Sequence, residues 1–171
     1  MHTVVTIVPF HEAGLSVEEN LAVVSRIEKI IHEWEGTRYQ AGCQTKGVAV
    51  DCVRFVSGVL DELYGEGKVD LPRLPQDISF HDREGSMAGL KHFLTHYPHV
   101  EADLNQLQPG DVIVAGPRDG GPGHGLICGE TSMWHCDSRS VDMAGLCLNP
   151  VGAYFIKKAY RPLNRSKWLC L

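Results

Sequence analysis

The chain has 171 residues, of which 43% are hydrophobic, and its net charge is −5. This composition excludes an intrinsically disordered chain and predicts a single globular domain over residues 1–171. The sequence contains no run of about 18 apolar residues, so we expect no transmembrane helix.

The first residues, MHTVVTIVPFHEAG, contain an apolar stretch that Pro9, His11 and Glu12 soon interrupt. No lysine or arginine precedes this stretch, as would be usual in a signal peptide. We therefore expect a mature N-terminal strand and a protein that is cytoplasmic as synthesised.

The sequence contains six cysteines, at Cys43, Cys52, Cys128, Cys136, Cys147 and Cys170. Since no export signal is recognisable, we expect reduced thiols rather than disulfides. The zinc-binding spacings CxxC and HExxH do not occur, and the pattern Cys-x6-His-Cys that ends at Cys136 is not an ordinary zinc site. We expect neither a metal nor an organic cofactor.

The first predicted helix begins after Ser16, a favourable N-cap that can form a capping box with Glu19. Apolar residues at helical spacing predict its buried stripe, which consists of Leu21, Val24, Ile27, Ile31 and Trp34. Gly36 is expected to end this helix.

A second helix is predicted to begin at Asp51, a plausible N-cap that directly precedes Cys52. Its predicted apolar face consists of Phe55, Val56, Val59, Leu60 and Leu63. The sequence YGEG would end it. A third helix is predicted in SMAGLKHFLTHY, which Pro98 stops.

Strands are predicted in the second half of the chain. DVIVAG is a short apolar strand after the turn LQPG, HGLICG and MWHCDS form a hairpin around GETS, and AYFIKKAYRP is the last strand. Helices followed by strands, rather than alternating with them, predict an α+β fold.

Cys52 is expected in the first turn of the second helix. The positive end of the helix dipole stabilises a thiolate there and would lower the pKa of the thiol, as suits a cysteine nucleophile. The alternative is that Cys52 only packs as a small buried residue, which is the commoner fate of a free cysteine. A catalytic role therefore depends on finding a base.

His124 differs from the other eight histidines because it lies where the glycine-rich segment GGPGHG enters an apolar strand. We assume that the hairpin loop consists of the two residues Glu130 and Thr131. In that register His124 is opposite Asp137 and diagonal to His135, on the same face. Either side chain could orient the imidazole of His124. A shift of the strand register by one residue would move both side chains to the opposite face of the sheet.

The ordered segments GTRYQAGCQTKGVAVDCVRFVSGVLDELYG, LPRLPQD, LQPGDVIVAG and HGLICGETSMWHC resemble the NlpC/P60 family of papain-like cysteine peptidases and amidases. The resemblance extends over about residues 20–160 and is greatest to the phage-type branch, whose members are encoded with tail genes. It implies a papain-like fold, in which a helical N-terminal half packs on an antiparallel sheet.

The resemblance also implies roles for individual residues. Cys52 would be the nucleophile, His124 the general base, and His135 the polar residue that orients His124. Tyr39 would line the cleft next to the nucleophile. Asp51 would help to recognise a free amine of the substrate.

Other motif positions carry less information about chemistry. Asp111 is expected to cap the P-G-D turn, and Arg73 and Gln76 match a motif that loop packing explains equally well. Where the family usually has Ser-Gly after the nucleophile, this chain has Val53 and Arg54. This departure leaves the substrate preference open.

The implied reaction is hydrolysis of an amide bond in a peptidoglycan peptide, next to γ-D-glutamate and a diamino acid. One alternative is a cytoplasmic amidase or acyltransferase that acts on a lipid or a small molecule. The other is a phage tail or assembly component that keeps the peptidase fold without catalysis. The phage-type resemblance implies phage tail proteins as partners and association with the phage particle.

The last residues, 157–171, hold five basic residues and no acidic one. Such a tail could dock onto a partner, but we expect it to be solvated. No DNA-binding or RNA-binding motif accompanies it, so we expect no nucleic-acid partner.

Overall fold

The computed structural model describes residues 5–65, 94–116, 123–137, 139–144 and 155–169. Two helices, α1 (Val17–Trp34) and α2 (Cys52–Tyr64), precede a six-stranded sheet, and a 3-10 helix (Arg165–Leu169) follows it. The predicted α+β architecture is therefore confirmed.

Helix α1 begins at the predicted capping box. The Ser16 hydroxyl accepts a hydrogen bond from the Glu19 N–H at 3.1 Å, and the Glu19 carboxylate accepts one from the Ser16 N–H at 2.7 Å. The helix ends at Trp34, and Gly36 follows with a φ of 75°. This left-handed conformation favours glycine, as the sequence predicted.

The buried face of α1 differs from the predicted stripe at one end. Its buried apolar residues are Val23, Val24, Ile27, Ile30, Ile31 and Trp34. Leu21 was predicted to be buried and is 59% exposed. The prediction was wrong there because Leu21 lies about 120° around the helix axis from Ile27, outside the face that contacts the core.

A small sheet leads into α2. Strands β1 (Arg38–Tyr39) and β3 (Ala49–Val50) pair in parallel, and β2 (Gln44–Thr45) pairs antiparallel with β3. Asp51 caps α2 by accepting a hydrogen bond from the Arg54 N–H at 2.8 Å, and Gly65 ends the helix in the left-handed conformation. Both helix ends were predicted, whereas the three short strands were not.

The main sheet consists of β4 (His99–Glu101), β5 (Val112–Gly116), β6 (His124–Cys128), β7 (Met133–Cys136), β8 (Val141–Ala144) and β9 (Phe155–Pro162). Its strand order is β4-β9-β5-β6-β7-β8, and all neighbouring strands are antiparallel. The four predicted strands correspond to β5, β6, β7 and β9.

Apolar residues pack on both faces of this sheet. On one face, α1 and α2 form the larger part of the core with the sheet. On the other face, Ile113 and Leu126 pack together with Val5 and Ile7 of the N-terminal segment. The expected N-terminal strand is reduced, within the described residues 5–14, to an isolated bridge between Ile7 and Leu107.

The basic C-terminal segment is folded, which corrects the expectation of a solvated tail. Arg161 pairs with Asp111 at 2.8 Å, and the same carboxylate accepts a hydrogen bond from the Gln108 N–H. This second contact confirms Asp111 as the cap of the P-G-D turn. Arg165 is 3% exposed and contacts Glu12 at 3.0 Å.

Two predictions fall wholly or mostly outside the described residues. The predicted third helix is described only at residues 94–97, of which 94–96 are helical. Arg73 and Gln76 lie in the part of the chain that is not described.

Candidate active site

Cys52 is the first residue of α2 and lies where this helix packs against the start of β6. The residue is buried, with 8% of its surface exposed. The backbone N–H groups of Gly125, Val53 and Cys52 itself lie close enough to the sulfur to favour its negative form. Such donors stabilise negative charge on a thiolate or on an oxyanion that forms beside it.

Burial raises the pKa of Cys52 to about 11. The Asp51 carboxylate raises this pKa further, whereas the Gly125 N–H and the amides at the helix start lower it. The expectation that the helix dipole lowers the pKa is therefore wrong for the resting site, because the loss of hydration outweighs the dipole. Cys52 is a neutral thiol near neutral pH, so it would act as a nucleophile only if a base took its proton.

His124 and His135 contact each other through their rings. His124 Nε2 lies 2.8 Å from His135 Nδ1, and the two rings meet edge to face. The contact follows from the hairpin, in which His135 pairs with Leu126 and the Gly129 N–H donates to the Ser132 carbonyl. This is the register that the assumed two-residue loop predicts.

Both imidazoles are uncharged near neutral pH. Burial lowers the pKa of His124 to about 4, the neighbouring His135 lowers it further, and the Asp137 carboxylate opposes both effects. Burial also lowers the pKa of His135, against the pull of Asp137 and Asp142. A neutral His124 is an available proton acceptor.

Asp137 lies outside the ring contact and serves the turn that follows β7. Its Oδ1 accepts hydrogen bonds from the N–H groups of Arg139 and Ser140, and its Oδ2 contacts the Arg139 guanidinium at 3.2 Å. These contacts hold the pKa of Asp137 below its usual value although partial burial opposes them. The structure thus brings His135, rather than Asp137, against His124.

Tyr39 lies near Cys52, at the end of β1. It pairs with Val50 in the parallel register and packs against the main core. Burial raises the pKa of its hydroxyl to about 12, and the negative forms of Cys52 and Asp51 add to this effect. Tyr39 therefore keeps its proton near neutral pH and can act as a hydrogen-bond donor.

The Asp51 carboxylate accepts hydrogen bonds from neighbouring groups of the protein itself. Its Oδ2 lies 2.7 Å from the Arg54 guanidinium and 2.8 Å from the Gly42 N–H, while its Oδ1 caps α2. Asp51 and Arg54 are 1% and 5% exposed, so this ion pair is buried. It fixes the loop before α2 to the start of the helix, and three donors already use the carboxylate.

Three features of the site were not predicted from the sequence. Arg54 is a partner of Asp51, the Gly125 N–H lies near the sulfur of Cys52, and a negative charge on Cys52 would raise the pKa of Cys136. Cys136 Sγ donates a hydrogen bond to the Val50 carbonyl, two residues before Cys52. Only the position of Gly125, directly after His124, was a usable signal in the sequence.

The chain matches no protein-family model, and a comparison with curated proteins gives no match. In the described parts of the chain, no helix is long and apolar enough to span a bilayer. The likeness to NlpC/P60 peptidases therefore rests on the sequence motifs around Cys52, His124 and His135, and the activity that it implies is a proposal.

Proposed function

We propose that the protein is a cysteine peptidase or amidase with a papain-like fold, in which Cys52 is the nucleophile. The observation that carries this proposal is the convergence of two elements. At the start of α2, the buried thiol of Cys52 lies near three backbone N–H groups, one of which belongs to Gly125. At the start of β6, His124 directly precedes Gly125, and its neutral imidazole contacts His135. Nucleophile, base and orienting group are the parts that acyl transfer requires.

The reaction would proceed through a thioester. His124 takes the proton of Cys52 as the sulfur attacks the substrate carbonyl, and the backbone N–H groups stabilise the oxyanion. The C–N bond then breaks as His124 returns the proton to the leaving amine. Water, deprotonated by His124, hydrolyses the thioester and restores the Cys52 thiol.

The pKa values of the resting site favour this proton transfer over a preformed ion pair. With the pKa of Cys52 at about 11 and that of His124 at about 4, the neutral thiol and neutral imidazole are the stable forms. Attack and proton transfer are then coupled in one step.

The proposed substrate is a peptide of peptidoglycan, cleaved next to γ-D-glutamate and a diamino acid. This choice comes from the family resemblance alone. The supporting structural feature is the position of Tyr39 and Asp51 next to Cys52, as the resemblance implies.

One observation favours a second candidate, an amidase or acyltransferase on a lipid or small molecule that carries no free amine. The Asp51 carboxylate accepts from Gly42 and from the backbone and guanidinium of Arg54. A carboxylate neutralised in this way attracts an ammonium group weakly. Arg54 thus argues against recognition of a substrate amine by Asp51.

The nucleophile is tested by digestion of purified muropeptides with the wild type, Cys52→Ala and the matched control Cys128→Ala. Cys128 is buried in β6, four residues after His124, so its replacement removes a thiol without touching the proposed machinery. We expect new amines with the wild type and the control only. Equal release by Cys52→Ala would refute the proposed nucleophile.

The substrate class is tested by offering the same muropeptides with their amines free or acetylated, and acyl esters beside them. Cleavage that requires the free amine supports the cell-wall peptidase. Equal cleavage of acetylated peptides, or cleavage of esters alone, supports the second candidate. If the wild type cleaves none of these substrates, a non-catalytic role as a phage tail or assembly component becomes the better account.

A further inference from the structure

The contact between the two histidines fixes how their protons must be placed. Only one hydrogen can lie between His124 Nε2 and His135 Nδ1, which are 2.8 Å apart. If His124 is to take the Cys52 proton on Nδ1, its own hydrogen must be on Nε2. His135 Nδ1 is then the acceptor, and the hydrogen of His135 must be on its Nε2. A protein acceptor on the far side of the His135 ring would favour this tautomer.

Strand β8 brings a carboxylate to the same face of the sheet. Asp142 is the direct cross-strand partner of His135 in the antiparallel pair of β7 and β8. Directly opposed residues point to the same face, with Cβ atoms about 5 Å apart. The two side chains therefore lie on the face that also carries His124.

Other titratable groups also lie around His135. Asp137, on the same strand, accepts hydrogen bonds from Arg139 and the turn amides. His124 faces the ring from β6. Asp137 and Asp142 both favour the protonated form of His135. Of these two carboxylates, Asp142 is the one that stands across the strand from the ring.

We propose that Asp142 is a positioning residue that accepts the hydrogen of His135 Nε2. The proposal rests on the proposed function, in which the proton of Cys52 passes to His124; the chain of groups would then continue through His135 to Asp142. The Asp142 carboxylate holds His135 in the tautomer whose Nδ1 accepts from His124, and it stabilises the imidazolium that His124 becomes when it takes the thiol proton.

The inference is tested by nitrogen-15 NMR of the histidine rings in the full chain, without any substrate. We expect the wild type to show His135 with its hydrogen on Nε2. Asp142→Asn should lower the pKa of His135 and populate the other tautomer, and Asp142→Glu should restore the wild-type signals. The control Glu101→Gln removes an exposed carboxylate of β4 and should change neither. Unchanged tautomer and pKa of His135 in Asp142→Asn would overturn the inference.

Kinetics separate this inference from the proposed function. In the active protein, Asp142→Asn should lower kcat by about tenfold with little change in KM, and Asp142→Glu should recover most of it. If the ring signals respond to Asp142→Asn but the wild type cleaves no substrate, the proton arrangement stands and the proposed function fails. If the wild type is active and Asp142→Asn matches it in rate and ring signals, the function stands and the inference fails.

Discussion

At the scale of single residues, the site combines a buried thiol with two partly buried imidazoles. Burial moves the pKa of Cys52 up and that of His124 down, so both groups are neutral at the pH where they would react. The sequence predicted the residues and the helix N-terminus. The direction of the thiol shift could not be predicted, because it depends on how completely β6 covers the start of α2.

We predict that His124 makes the fold less stable in mild acid. In the unfolded chain this histidine binds a proton near pH 6.5, whereas in the folded protein its pKa is about 4. Between these values the unfolded state binds more protons, so the free energy of unfolding decreases as the pH falls, by up to about 3 kcal/mol. His124→Asn should lose this part of the pH dependence, measured by urea unfolding at about pH 7 and about pH 4.5.

The control for this measurement is His11→Asn, which replaces an exposed histidine. It should retain the pH dependence of the wild type. The prediction fails if the wild type and His124→Asn lose the same free energy of unfolding between the two pH values.

At the scale of elements, regular patterns were predictable and short strands were not. The register of the β6–β7 hairpin followed from alternation and a two-residue loop, and it placed His135 on the correct face. Strands β1, β2 and β3 have two residues each, too few to show any alternation. Their pairing is set by contacts with α2 and the turn after β7, which the local sequence does not encode.

The contact between α1 and α2 depends on a glycine. A Cβ added to Gly58 would lie 2.4 Å from Trp34 Cζ2, and Trp34 is itself 3% exposed. We predict that Gly58→Ala lowers the free energy of unfolding by about 1–3 kcal/mol, because the crowded core outweighs the better helix propensity of alanine. Urea unfolding at neutral pH measures this change.

The neighbouring Ser57 provides the matched control on the same helix. Its hydroxyl is buried and has no hydrogen-bond partner among the described residues. Ser57→Ala should therefore leave the stability unchanged or raise it by about 1 kcal/mol. A Gly58→Ala protein as stable as the wild type would show that the two helices do not pack as described.

At the scale of the whole molecule, the C-terminal segment closes the fold against the N-terminal one. The Arg165 guanidinium contacts the Glu12 carboxylate at 3.0 Å and the His11 carbonyl at 2.8 Å, and it lies 4.4 Å from the centre of the Phe10 ring. Its partner Glu12 is 153 residues away in the sequence. Charge counting predicted a solvated tail because such distant pairs leave no local pattern.

We predict that Arg165→Met lowers the free energy of unfolding by about 2–4 kcal/mol, because it removes one partner of a largely buried ion pair. Lys167→Met, which replaces an exposed cation of the same 3-10 helix, should change it by less than about 0.5 kcal/mol. Thermal or urea unfolding of the two variants gives the comparison. If both substitutions change the free energy of unfolding equally, the buried ion pair of Arg165 stabilises the fold no more than the exposed charge of Lys167, and the prediction is wrong.

The central claim, that Cys52 forms a covalent bond with the substrate, is tested most directly by trapping the thioester. The wild type is mixed with excess muropeptide, quenched in acid and digested, and the fragments are mapped by mass spectrometry. We predict an acyl group on Cys52 that is absent from Cys52→Ala and much reduced in His124→Asn. An acyl group on another residue, or release of amines without any adduct on Cys52, would contradict the claim.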